Sequence, residues 1–123
     1  MWGMVDWQQM VKDWHKDMGL NAGEQPMNHT RRALLVESEM KELAEALREG
    51  DLAHIVHELC DVIWVCLGTA VELGLDLTPF FLEVRRANYT KRGAEVVDGK
   101  LTKGSRYEPP AIQYMLDKGL GRE

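Results

Sequence analysis

The sequence predicts an all-α fold, a four-helix bundle with a short C-terminal extension. Three observations carry that reading. Apolar residues recur at three- and four-residue steps, residues that start and stop helices flank each periodic run, and the alternation that marks strands is weak throughout. Val5, Met10, Val11, Trp14 and Met18 define a first amphipathic helix from Val5 to Met18 that ends at Gly19. A loop, "LNAGEQPMNHT", leads to Thr30, the expected N-cap of a second helix running to Gly50. Asp51 caps a third helix over Leu52–Leu73, ended by Gly74, and the short connection makes the second and third helices an antiparallel pair. Thr78 and Pro79 open a fourth helix through "FFLEVRRANYTKRG". Beyond Gly93 the chain is turn-rich, with Asp98-Gly99 able to close a small hairpin and a last helix expected over Ile112–Leu116. The expected organisation is a single domain over 1–123, with a helical core over about 4–93 and a tail over 94–123.

The chain of 123 residues carries a net charge of −5 and a pI near 5.4. That balance argues against a nonspecific grip on a nucleic acid polymer, which needs a basic surface. The chain does not open like a secretion signal, and the longest apolar run is interrupted and reads as too short for a bilayer, so a cytoplasmic protein without a membrane partner is expected. Cys60 and Cys66, six apart in one helix, point to different faces, form no C-x-x-C pair and are expected in the core.

The informative run is "HELCDVIWVCLGTA", where Asp61 stands inside an apolar stretch. A buried carboxylate requires a hydrogen bond, a cation or a metal. Glu58 and Asp61 are three apart and share a helix face, as do Glu39 and Glu42 on the preceding helix, so an antiparallel pair brings four carboxylates together. Divalent cations relieve such repulsion, and an all-oxygen ligand set suits Mg²⁺, with Mn²⁺ as substitute. His54 and His57 do not match the E-x-x-H spacing of di-iron bundles and stand as lesser candidates, at the rim or in the core. Trp7, Trp14 and Trp64 at helical spacing read as core, with Trp14 the one candidate to stack on a base.

"ESEMKELAEAL", "HELCDVIWVCLGTAVELGLDL" and "ANYTKRG" together resemble the MazG-like all-α nucleoside triphosphate pyrophosphohydrolases. The tail "VVDGKLTKGSRYEPPAI" resembles the C-terminal segment of the phosphoribosyl-ATP pyrophosphohydrolase-like branch. The resemblance implies that Glu39, Glu42, Glu58 and Asp61 hold Mg²⁺ and that Asn88 and Lys91 meet the triphosphate. Ser38 stands where relatives often carry a further Glu, which leaves Glu37 or Glu39 to activate water; Glu39 and Lys91 are the catalytic assignments.

Carboxylate-held metals can bridge triphosphate oxygens, while Lys91, Arg92, Lys100 and Lys103 can supply further positive charge, the later lysines from a tail able to fold over the substrate. Asn88, Lys91, Arg92, Lys103 and Trp14 form the expected substrate-binding set. The expected reaction converts a (deoxy)nucleoside triphosphate, dGTP/GTP or dUTP among the options, to the monophosphate and pyrophosphate. Its rivals are phosphoribosyl-ATP pyrophosphohydrolysis and a noncatalytic helical metal-binding or interaction module. Four helices leave apolar faces uncovered, notably those carrying Ile63, Val65, Leu67 and Val71, so a homodimer or homotetramer is expected.

Overall fold

The structure, a computed structural model, describes residues 4–122, with side chains from Trp7 onward; the side chain of Val5, counted in the first apolar stripe, lies outside the described residues. Its element order is α1 (Met4–Asp17), α2 (His29–Glu49), α3 (Leu52–Leu73), α4 (Thr78–Tyr89), β1 (Val96–Val97), β2 (Lys100–Leu101) and α5 (Ile112–Asp117). The fold is all-α apart from one two-stranded ladder. Two compact units divide the chain, the first through Asp76 and the second over Leu77–Arg122.

In the first unit α3 packs against both α1 and α2. Val11, Ala46, Val65, Leu67, Ala70 and Val71 are buried, and each fully buried valine contributes roughly 1.5–3 kcal/mol of transfer free energy. Val65, Leu67 and Val71 are therefore core within one chain, which corrects their assignment to an uncovered face. The apolar residues left exposed are others, including Leu34, Leu47, Leu52 and Val56. Gln8 is buried on α1 and donates from Nε2 to the Leu75 carbonyl at 2.6 Å, fixing α1 against the end of α3.

Several helix boundaries differ from expectation for identifiable reasons. Asn28, not Thr30, caps α2: its Oδ1 accepts from the Arg31 amide at 3.0 Å, and Thr30 lies within the first turn. Asp51 occupies the N-cap of α3 in an extended conformation, but its carboxylate makes no capping hydrogen bond. Leu77 precedes α4, Thr78 is already helical, and α4 stops at Tyr89 rather than continuing to Gly93. Gly50 and Gly74 end α2 and α3 with φ of 80° and 69°, left-handed values that glycine adopts without a Cβ penalty.

The expected D-G hairpin is present: Val96 pairs with Leu101 and Val97 with Lys100, around Asp98 and Gly99 at φ of 51° and 76°. Two positive φ values in a two-residue loop are the mark of a type I′ turn. Phe80 and Ala87 are the buried residues of α4, which contacts α5.

Three further expectations are corrected. α3, at 22 residues, is by length and composition long and apolar enough to cross a bilayer, so the apolar run is not too short. Its contacts with α1 and α2 and its buried Glu58 suit a core helix. Cys60 and Cys66 are both exposed rather than in the core, because Val65, Leu67, Gly68 and Ala70 take the inward positions of α3. Trp7, Trp14 and Trp64 are likewise nearly two-fifths exposed, too bulky for the small-residue seams among these helices.

Candidate metal and phosphate site

The seam between α2 and α3 is set by a residue to which the sequence reading gave no role. Arg32 donates from Nε to Thr69 Oγ1 at 2.9 Å, from Nη1 to Glu72 Oε2 at 2.6 Å and from Nη2 to the Val65 carbonyl at 2.7 Å. A β-carbon at Gly68 would lie 2.3 Å from Arg32 Nη2 and 3.0 Å from His15 Nε2, so the absence of a side chain there admits the guanidinium. Glu39 follows Arg32 by seven residues and Glu58 precedes Val65 by seven. Along antiparallel helices both steps advance in the same direction by about 10.5 Å. The Arg32 anchor therefore brings Glu39 opposite Glu58. The signal for it was Glu72, a third acid in the apolar helix and as anomalous there as Asp61.

Glu39, Glu42 and Glu58 each offer a carboxylate oxygen, and these atoms lie within 4.8 Å of one another. His57, Glu58 and Asp61 form a second group within the same limit, so Glu58 belongs to both. His57 Nε2 lies 3.2 Å from Asp61 Oδ2, and His54 Nε2 lies 3.5 Å from Glu58 Oε1. The buried carboxylate is Glu58, 6% exposed, whereas the side chain of Asp61 is 40% exposed with His57 beside it. This reverses the emphasis on Asp61: the helix turns Glu58 inward, and His57 moves from lesser candidate to a member of the cluster.

Glu39 Oε2 and Glu58 Oε2 are buried with no hydrogen-bond partner. Burial raises the Glu39 carboxyl above its usual range, and the charges of Glu42, Asp61 and Glu58 push it the same way. Two buried acceptor-only oxygens without a donor, in a cluster of carboxylates, leave a deficit of positive charge. A bound metal ion would supply it, so the residues present fit one.

Trp14 lies edge-on to Trp64, with ring centroids 5.4 Å apart and an interplanar angle of 77°. Trp7, Met10, Cys60, Ile63 and Trp64 line an apolar groove of about 180 Å³ in the same unit.

In the second unit the expected substrate residues gather in two places. Asn88 and Arg92 share a cavity of about 290 Å³ with Tyr89 and Leu101. Lys91 and Lys103 both approach the ring of Tyr107, their Nζ atoms 5.7 and 5.2 Å from its centroid. Arg85 and Arg92 bracket Tyr89 in the same manner, at 5.2 and 5.7 Å. Exposed contacts of this kind are worth about 0.5–1 kcal/mol each. Lys91 lies in the turn after α4 rather than on the helix, with its amide donating to the Asn88 carbonyl at 3.1 Å. Lys100 is exposed on β2.

The sequence profile of the phosphoribosyl-ATP pyrophosphohydrolase family matches residues 8–88. The chain belongs to that family. The phosphoribosyl-ATP pyrophosphohydrolase family is part of the MazG-like all-α nucleotide pyrophosphohydrolase superfamily, so the resemblance read from the motifs holds and the activity class is nucleotide pyrophosphohydrolysis. The family match contains Trp14, Glu39, Glu42, Glu58, Asp61 and Asn88 and stops short of Lys91, Arg92, Lys103 and Tyr107. No curated protein matches the chain in sequence.

Proposed function

We propose that this chain hydrolyses a (deoxy)nucleoside triphosphate to the monophosphate and pyrophosphate, using Mg²⁺, for which Mn²⁺ can substitute. The observation that carries the reading is the pair of partnerless buried oxygens, Glu39 Oε2 on α2 and Glu58 Oε2 on α3, in one carboxylate cluster of a pyrophosphohydrolase family member. Glu39, Glu42, Glu58 and Asp61 hold the metal. When bound, the ion neutralises polyphosphate oxygens and makes water a better nucleophile. Glu39, whose proton affinity is raised first by burial and then by the neighbouring carboxylates, accepts the proton from the attacking water. Lys91, Lys103 and Arg92 supply positive charge to the phosphates, Asn88 donates a hydrogen bond, and Trp14 offers a partly exposed ring to the base.

Exposed Leu34, Leu47, Leu52 and Val56 support self-association, as a homodimer or homotetramer that covers these side chains. A second reading, phosphoribosyl-ATP as the substrate, is favoured by the family that the chain matches. A pyrophosphate-release assay across ribo- and deoxynucleoside triphosphates and phosphoribosyl-ATP, with Mg²⁺ and with Mn²⁺, separates the two. Turnover of the triphosphates supports the first, and turnover of phosphoribosyl-ATP alone replaces it with the second.

A further inference from the structure

Lys91 and Lys103 come from opposite sides of the β1–β2 hairpin, yet both ammonium groups lie against one ring, that of Tyr107. Neither pairs with a carboxylate among the described residues. With Nζ atoms 5.7 and 5.2 Å from one centroid, the two ammonium groups are at most about 11 Å apart, so the like charges repel, and an unrestrained lysine gains conformational entropy by turning into water. The negative face of the aromatic ring offsets both effects and holds the charges together without neutralising them.

The segment that carries the ring is held in place. The Tyr107 amide donates to the Gly104 carbonyl at 3.1 Å, and the next amide, of Glu108, donates to Thr90 Oγ1 at 2.8 Å. That hydroxyl donates in turn to the Ala87 carbonyl at 2.6 Å, which fastens the Tyr107 segment to the end of α4. None of Lys91, Lys103 and Tyr107 falls within the matched region of the family.

We infer that Tyr107 is a positioning residue that gathers Lys91 and Lys103 into one doubly charged patch for the polyphosphate of the substrate. This deepens the proposed triphosphate reaction and rests on it for its biological meaning. An ammonium is a compact point charge suited to phosphate oxygens, and two of them together match a charge-dense polyphosphate better than a single carboxylate.

The test uses the full chain in EDTA, where no divalent ion mediates binding, and titrates inorganic tripolyphosphate calorimetrically at low salt. Tyr107→Leu is expected to weaken binding about fivefold to tenfold, while Tyr107→Phe, which keeps the ring, stays within about twofold of the parent. In turnover, Tyr107→Leu raises KM for the triphosphate with little change in kcat. The double substitution Lys91→Gln, Lys103→Gln reads the patch without touching the ring, and is expected to abolish tripolyphosphate binding. Parent-like binding by Tyr107→Leu, equal losses in the Leu and Phe variants, or no binding by the parent would each overturn the inference. Binding that follows this pattern in a chain that releases no pyrophosphate would uphold the patch and defeat the proposed reaction, so the two failures are distinct.

Discussion

Replacing Glu58 by Gln removes one charge from the centre of the acidic cluster while nearly preserving shape. Glu58 is 6% exposed, and its cluster oxygens stand within 4.8 Å of those of Glu39 and Glu42. Two unit charges at that separation repel by about 0.9 kcal/mol in water and about 3.5 kcal/mol at an effective dielectric near 20. The partial exposure of Glu42 and screening by solvent at the rim remove much of this, leaving a net gain of about 1–2 kcal/mol in the metal-free protein. For a chain of this size that is a rise in Tm of about 3–10 °C. With Mg²⁺ the order changes. Ligand at about a hundred times its dissociation constant stabilises the parent by about 2.7 kcal/mol, and Glu58→Gln loses most of that gain along with turnover. The assay is thermal unfolding of both proteins in EDTA and in Mg²⁺. A variant less stable than the parent in EDTA, with an undiminished response to Mg²⁺, would refute the reasoning, because Glu58 would then be a structural carboxylate.

Three other outcomes follow from neighbouring features. Gly68→Ala places a methyl 2.3 Å from Arg32 Nη2, a group tied by three hydrogen bonds; it should cost about 1–3 kcal/mol in urea unfolding and lower Mg²⁺ affinity through the shifted seam. Lys91→Ala should lower kcat/KM about tenfold to a hundredfold while Mg²⁺ stabilisation survives; unchanged kinetics would remove Lys91 from the site. Glu83 is held down to about 2, first by its hydrogen bonds from Arg86 and then by the Ala111 amide. Its stabilisation is present above its ordinary value of 4.5 and disappears as pH falls from there towards 2, so α5 should loosen in that window. Glu83→Gln should remove this component of the pH dependence, read from tyrosine resonances, and an unaltered acid profile would count against the clasp.

The long elements were legible because several signals agreed. α3 has an apolar periodicity, a glycine at its end and a two-residue link to α2, and the convergence of the two acidic pairs follows from those alone. The Asp98-Gly99 turn was legible because few other dipeptides adopt two positive φ values. Capping was less so: Thr30 and Asn28 both suit an N-cap, and only the backbone decides which side chain reaches an amide. Periodicity also could not tell which member of Glu58 and Asp61 points inward, since residues three apart differ by about 60° around the helix. The Arg32 seam depended on a pairing 33 residues apart, to the Val65 carbonyl, for which sequence spacing gives no local cue. The tryptophans and cysteines misled because hydrophobicity favours burial only where there is room.

The central claim is that a triphosphate is cut between its α and β phosphates. Phosphorus NMR of a deoxynucleoside triphosphate incubated with the chain and Mg²⁺ tests it most directly, by resolving the products. The account predicts nucleoside monophosphate and pyrophosphate in equal amounts, with no reaction in EDTA. Formation of nucleoside diphosphate and orthophosphate, or no turnover of any triphosphate with either Mg²⁺ or Mn²⁺, would contradict it.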